Sequence, residues 1–231
     1  MTTPHSAQID HLVVAARTLD EGVAWCEATL GGVPGPGGEH ALFGTHNRLL
    51  RLSCAQAPRA YLEIIAVNPQ ATPTRPAPLK RWFDLDDPAL QARLAQHGPQ
   101  LVHWVASVPD IDAATRQLTS LGIHRGPVIA ASRPTPKGLL QWRITVRDDG
   151  QRLFGGCLPT LIQWGETHPA KAMPPSGLAL RGLTLSHPEA TALQQALNAT
   201  GLDQLAVAPG PAALTALLDT PHGPHTLTSL L

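Results

Sequence analysis

The sequence predicts an α+β protein. Two βαβββ modules repeat and should pair, and a third, degenerate βαβββ module follows them. Three observations carry this expectation. The stretch QIDHLVVAARTLDEGVAWCEATLGG, residues 8–32, has a counterpart in QLVHWVASVPDIDAATRQLTSLGI, residues 100–123. A looser counterpart, LALRGLTLSHPEATALQQALNATGL, occupies 178–202. Each of the three runs into a trio of short segments with strand character, and self-similarity on this scale marks a repeated supersecondary unit.

Each copy opens with a short apolar strand, which holds His11 in the first and His103 in the second. An acidic helix start follows (LDEG, PDID), then an amphipathic helix and a closing glycine. The separation from His to Gly is 31 − 11 = 20 in one copy and 122 − 103 = 19 in the other. Leu19, Val23, Cys26 and Leu30 stand at helical spacing in the first, and Ile111, Ala114, Leu118 and Leu121 in the second. Gly31 and Gly122 are the helix stops. The third copy has Arg181 or Gly182 where the others have histidine. Strand segments follow as GGEHALFGT, HNRLLRLSCA and AYLEIIAV, then as GPVIAAS, LLQWRITVRDD and LPTLIQWGE, and last as LAVAPG, ALTALLDT and GPHTLTSLL. The modules are therefore expected over 8–67, 100–166 and 177–231. Residues 68–99 form a connector, with the Pro-rich NPQATPTRPAPLK and a short helix in DPALQARLAQHG. That helix is capped by Asp87, has Pro88 in its first turn and stops at Gly98. A single βαβββ unit leaves one sheet face bare, so the units should pair.

The chain of 231 residues is 43% hydrophobic, enough for a substantial core. Lys plus Arg is 17 and Asp plus Glu is 17, so the formal net charge is zero. Without a basic run there is no electrostatic footprint for nucleic acid and no polybasic membrane patch. The start MTTPHSAQIDH has neither a basic nor an apolar leader region, and no apolar run is long enough to span a bilayer, so a cytoplasmic location is expected. Cys26, Cys54 and Cys157 are odd in number and lack a CxxC spacing, which points to free thiols. Cys26 lies on a helix core face and is a poor nucleophile. No GxSxG, P-loop or GxGxxG motif occurs.

Strand alternation puts Tyr61, Glu63 and Ile65 on one face of AYLEIIAV, and Leu161 and Gln163 on one face of LPTLIQWGE. Gln163 is taken as the counterpart of Glu63. A carboxylate buried alone is costly, and a cation removes the cost. Two His, one Glu and one Gln converging in a cup would form an N/O site suited to a divalent Zn, Ni, Mn or Fe(II) ion. The plainer alternative is a hydrogen-bonded core histidine in each strand and a Glu satisfied by Arg or backbone. Glu166 stands in for Gln163 if the strand ends early. Among His40, Thr45, His46, Asn47 and Arg51, His40 and Asn47 are the candidate substrate-binding groups, set against a plain hairpin turn at Gly44–Asn47. Of Trp142 and Arg143, one should point into the cup and the other away, and Trp142 would supply an aromatic wall. Arg133, in SRPTPKG, would place a positive charge at the mouth, or else be a surface arginine. His168, His187, His222 and His225 sit near prolines and read as surface residues.

The repeated unit, with IDHLVV opening and YLEII closing its first copy, resembles the vicinal oxygen chelate superfamily, the group of glyoxalase I, bleomycin-resistance proteins and extradiol dioxygenases. More closely, DHLVVAARTLDEGVAWCEATLG, HALFGTHNRLLRL, YLEIIAV and LPTLIQW look like bacterial glyoxalase-like domain proteins. The likeness covers 8–67 and 100–166, and 178–231 in outline; it is specific for fold and not for reaction. It implies repeated βαβββ modules paired edge to edge into a half-open curved sheet around a divalent metal, held by His11, Glu63, His103 and Gln163, with Gln163 leaving only one anionic ligand. It further implies a metal-dependent enzyme of the lyase, isomerase or dioxygenase type. The metal would chelate vicinal oxygens of a small substrate as a Lewis acid, and Glu63 would double as the base. The alternative is a metal-free binding protein of the bleomycin-resistance type. The expected partner is a small molecule. The third module would cover a sheet face or edge, or mediate a homodimer.

Overall fold

The computed structural model describes residues 6–135 and 138–229. Residues 1–5 of the expected start, Pro136 and Lys137 of SRPTPKG, and 230–231 at the end of the third module's range lie outside the described residues. The first unit is β1 (Gln8–Ala15), α1 (Leu19–Leu30), β2 (Gly35–His40), β3 (Thr45–Arg51) and β4 (Tyr61–Val67). The connector carries α2 (Pro88–His97). The second unit is β5 (Gln100–Ser107), α3 (Ile111–Ser120), β6 (Val128–Thr135), β7 (Gly138–Thr145) and β8 (Thr160–Trp164). The third is β9 (Ala179–His187), α4 (Ala190–Ala199), β10 (Val207–Pro209), β11 (Ala213–Thr220) and β12 (Gly223–Thr228). The α+β class and the threefold βαβββ order are those the sequence predicts.

The helix starts follow from their caps. Thr18 accepts from the Glu21 N–H at 3.1 Å, Asp87 from Ala89 at 2.9 Å and Asp110 from Ala113 at 2.9 Å. α1 stops at Gly31, whose φ of 68° lies in the left-handed region and whose N–H returns to the Glu27 carbonyl.

The first two units share one eight-stranded sheet in the order β2-β3-β4-β1-β5-β8-β7-β6. β1 and β5 join them antiparallel, while β1 with β4 and β5 with β8 are parallel. The sheet curves until its edge strands meet, where Arg133 Nη1 of β6 donates to the Gly37 carbonyl of β2 at 2.6 Å. A Cβ on Gly38 would lie 1.8 Å from that Nη1, so only glycine lets the guanidinium cross β2 here.

Two cores result. One, on the helix side of the large sheet, takes Leu12, Val14, Leu62, Ile64, Trp104 and Leu161 together with the third unit's Leu183, Leu185, Leu214 and Leu218. The third unit's own four-stranded sheet hydrogen-bonds to the first unit through Ser53, whose N–H donates to Leu178 O at 2.9 Å and whose carbonyl accepts from Leu180 N at 2.8 Å. This unit thus covers a face of its own chain.

The second core fills the cup. Val13, Ile65, Val105 and Ile162 pack there against Trp82, Phe83, Leu85, Leu90 and Leu94 of the connector. Trp82, Phe83 and Leu85 are each 5% exposed or less, which is worth roughly 5–9 kcal/mol of transfer free energy at about 1.5–3 kcal/mol each. Phe83 and Asp84 are held at φ 59° and 58°, a strained setting for non-glycine residues. Asp84 is fixed by Arg152 Nε at 2.7 Å, and Arg152 Nη1 donates to Val102 O at 2.5 Å. The connector is therefore a plug fastened into the second half of the cup.

Candidate functional site

The first half of the cup holds a buried polar cluster. β1 carries a bulge, because Ile9 pairs with Ala106 and His11 with the neighbouring Val105, leaving Asp10 as the extra residue. A bulge re-aims side chains, and here Asp10 and His11 lie side by side. His11 Nδ1 donates to Asp10 Oδ1 at 2.7 Å, and His11 Nε2 lies 3.6 Å from Glu63 Oε2, an ion-pair distance rather than a hydrogen bond. The imidazole stacks on Tyr61 with centroids 4.5 Å apart and an 18° interplanar angle. Asp10 Oδ2 also accepts from Trp164 Nε1 at 2.9 Å and from His168 Nε2 at 3.1 Å. Because His168 Nδ1 accepts from the Ala170 N–H at 3.1 Å, its proton is on Nε2.

Glu63 is held from the other side. Asn47 Oδ1 accepts from the Gly38 N–H at 2.8 Å, which orients its amide so that Nδ2 donates to Glu63 Oε1 at 2.5 Å. Asn47 Nδ2 also approaches His40 Nε2 at 3.3 Å, and His40 Nδ1 bonds Thr45 Oγ1 at 3.0 Å. His40 is thus the neutral Nδ1–H tautomer. Burial pushes its pKa down to about 4, with the Glu63 charge opposing and Arg133 and His11 assisting. His11 goes the other way. Burial alone would lower it, but the hydrogen bonds and charges of Asp10 and Glu63 prevail and raise it to about 9. Burial opposes ionisation of Asp10 and Glu63 too, yet His11 holds both below the usual carboxylate range. At neutral pH the cluster is an imidazolium between two carboxylates.

The expected four-ligand metal site does not assemble. His103 is fully buried, with Nδ1 against Gly156 O at 3.0 Å and Nε2 against Thr160 Oγ1 and N, each at 3.1 Å. Both ring nitrogens are committed. Burial, then Arg125 and Arg152, drive its pKa well below 6.5. Phe83 lies against the ring, with centroids 5.3 Å apart. Gln163 points to the opposite face of the sheet, where Oε1 accepts from the Ile111 N–H at 3.0 Å at the start of α3. The pairing registers give the reason. His11 pairs with Tyr61, two residues before Glu63. Val105 pairs with Thr160, so two residues back His103 stands opposite Leu158, and Thr160 is the counterpart of Glu63. Glu166 is exposed beyond the end of β8. Among the described residues no three His, Cys, Asp or Glu side chains are arranged to hold a metal ion. The residues present therefore do not fit the metal centre that the resemblance implies; only His11 and Glu63 of the set stay together.

An inner and an outer space adjoin the cluster on the cup side. An inner compartment of about 30 Å³, room for a water molecule or two, is lined by His11, Asn47, Glu63, Tyr61, Arg133 and Trp164 among others. An outer cleft of about 450 Å³ opens between β2, the Leu42–Phe43 turn, Trp82 and the β6–β7 hairpin. His40, Trp82, Arg133 and Trp142 line both. Trp142 faces in, while Arg143 turns out to Asp112 at 2.8–2.9 Å. Arg133 lies on strand β6 and not in a loop. His168, read from the sequence as a surface residue, is 1% exposed.

Sequence reasoning missed Asp10, Trp82, Phe83 and His168. Two signals were present: adjacent polar residues in an apolar strand (IDHLVV), and an aromatic pair (WF) inside a polar connector.

A family model described as "Glyoxalase-like domain" matches residues 9–201. No curated protein matches the chain at a significant level. A hypothetical protein from Staphylococcus aureus of known structure is 14% identical, with a TM-score of 0.56, over 96% of this chain and 85% of that one. Streptomyces coelicolor methylmalonyl-CoA epimerase in complex with 2-nitronate-propionyl-CoA is 20% identical, with a TM-score of 0.41, over 69% of this chain and 98% of that one. The Mycobacterium tuberculosis methylmalonyl-CoA epimerase is 18% identical, with a TM-score of 0.39, over 71% and 91%.

Proposed function

The chain belongs to the glyoxalase-like domain family of the vicinal oxygen chelate superfamily, and from that premise we propose that it is a metal-independent binding protein for a small, flat molecule bearing an anionic oxygen group. The observation that carries this reading is the outer cleft of about 450 Å³, whose lining combines the guanidinium of Arg133 with the aromatic side chains of Phe43, Trp82 and Trp142. That volume suits a small organic ligand, and apolar walls with a few placed polar groups are the usual make-up of such a site. Planar aromatic faces favour a planar guest, and a guanidinium favours a carboxylate or similar oxyanion. The inner compartment, about 30 Å³, is too small to admit the guest. The Asp10–His11–Glu63 cluster therefore acts on it indirectly, by holding Asn47 and His40 and by setting the field at Arg133.

The test is a titration of tryptophan fluorescence with a panel of aromatic carboxylates (benzoate, phenylacetate, phenylpyruvate), with and without EDTA. Saturable quenching that EDTA leaves unchanged, and that Arg133→Met weakens by roughly tenfold or more, is expected for loss of one charge-assisted hydrogen bond. Binding that appears only with added Zn, Ni, Mn or Fe(II), and that EDTA abolishes, would overturn the reading in favour of metal-dependent lyase, isomerase or dioxygenase chemistry.

A further inference from the structure

The second half of the cup contains a buried cation with no counterion among the described residues. Arg125 is 3% exposed. Its Nη2 donates to Thr160 Oγ1 at 2.5 Å, but Nε and Nη1 are buried without a hydrogen-bond partner among the described residues. The carboxylates nearby are already committed: Asp149 to Arg147, Asp84 to Arg152 and Asp148 to Arg75. Around the cavity, Arg125, Arg147 and Arg152 face Asp84 and Asp149, so the sum of formal charges is +3 − 2 = +1. Burial, then Arg147, lowers the Arg125 pKa to about 9, which still leaves the guanidinium charged at neutral pH. An isolated buried charge costs several kcal/mol after relaxation, and two unpaired N–H groups add to that cost.

A cavity sits against these groups. Arg125, Arg152, Thr145, Thr160, Trp82 and Phe83 are among its lining residues, and its volume is about 10 Å³. That is room for a single particle about the size of water. Trp82 Nε1 is a further buried donor without a partner, on a residue that lines the same cavity. Donors, surplus positive charge and a one-particle space occur together.

We propose that this cavity is a binding site for a monatomic anion, chloride in the cell, held by the Nε–H and Nη1–H of Arg125. The site is separate from the ligand cleft, with Phe83 and Trp82 as the wall between them. The anion neutralises the arginine cluster behind the plug and fastens the connector into the cup.

Thermal unfolding at constant ionic strength, with chloride or bromide replacing gluconate, tests this. The expected result is a saturating rise in midpoint, by roughly 5–11 °C when the halide reaches about 100 times its dissociation constant. The dependence is lost in Arg125→Met. Crystals grown in bromide should show an anomalous peak at Arg125, and this measurement on the native chain decides the matter if the variant does not fold. Equal midpoints in chloride and gluconate, with no bromide peak at Arg125, would overturn the proposal and leave a hydrated guanidinium.

Discussion

The buried imidazolium makes stability fall with rising pH, in a window that the structure defines. His11 has an unfolded pKa near 6.5 and a folded one near 9. Between these values the unfolded chain has lost the proton while the native protein keeps it. The unfolded state then binds one proton fewer, and unfolding free energy drops with pH. The contribution is fully present below pH 6.5 and gone above about 9. A difference of 9 − 6.5 pH units at 1.36 kcal/mol each gives about 3 kcal/mol. His11 is 5% exposed, so solvent screening does not erode this greatly. For a chain of this size the loss is a fall in melting temperature of roughly 6–12 °C. The assay is urea unfolding at pH 6, 7, 8, 9 and 10, with the His11 Cε1 proton followed by NMR. His11→Gln is less stable at neutral pH, since it strands Asp10 and Glu63, and its stability shows no such slope. A His11 titration midpoint at or below 6.5, or an unchanged slope in His11→Gln, refutes the charge assignment.

Other outcomes follow from single contacts. Gly38→Ala places a Cβ 1.8 Å from Arg133 Nη1 and displaces the guanidinium; affinity for an aromatic carboxylate falls roughly tenfold while urea unfolding shifts by less than about 1 kcal/mol. Phe83→Ala empties the wall between the two halves of the cup, costs about 3–5 kcal/mol in urea unfolding, and makes His103 titrate visibly by NMR. In the native protein a thiol reagent modifies Cys54 alone: Cys26 and Cys157 are fully buried, with pKa values pushed up to about 12 and about 11 by burial. All three react in denaturant.

The fold was legible because its signals are local and repeated. Thr18, Asp87 and Asp110 cap the helices, Gly31 ends one, and two histidine-bearing strands open the paired units. The site was legible only in its first half. Glu63 was placed by strand parity, and the same parity applied to β8 put Gln163 beside Leu161, which is the helix face. Parity shows which residues share a face but not which face is the cup; that is set by pairing with β5, which a single sequence does not display. Asp10 was hidden because a bulge breaks the alternation that parity relies on. The plug was hidden because the prolines mark NPQATPTRPAPLK as a connector and the helix signals begin only at Asp87, while the cup is filled by Trp82, Phe83 and Leu85 between them, too few residues for any periodicity to reveal. His168 sits beside a proline, a turn signal that gives no information on burial.

The two halves of the cup answer one physical problem differently. Each first strand places a histidine among apolar neighbours, and each needs a counter-group. In the first half it is carboxylates, and the histidine is the cation. In the second the carboxylate position is Thr160, His103 stays neutral, and the cation is Arg125. This makes Thr160→Asp a direct test of the charge logic. Thr160 Oγ1 stands 2.5 Å from Arg125 Nη2 and 3.1 Å from His103 Nε2. An aspartate of nearly the same volume therefore brings a fixed negative charge to the buried guanidinium of Arg125. The sum of formal charges at the cavity, +1 in the native chain, becomes zero, and the need for a mobile anion goes with it. Thermal midpoints of the variant should be the same in chloride and gluconate at fixed ionic strength, and the His103 pKa should rise because the nearby carboxylate favours its charged form. A strand penalty of up to about 1 kcal/mol for Asp lowers both midpoints equally and leaves the comparison intact. If Thr160→Asp keeps the full halide dependence, the anion is not paired with Arg125, and the second half of the cup balances its charge by some other route.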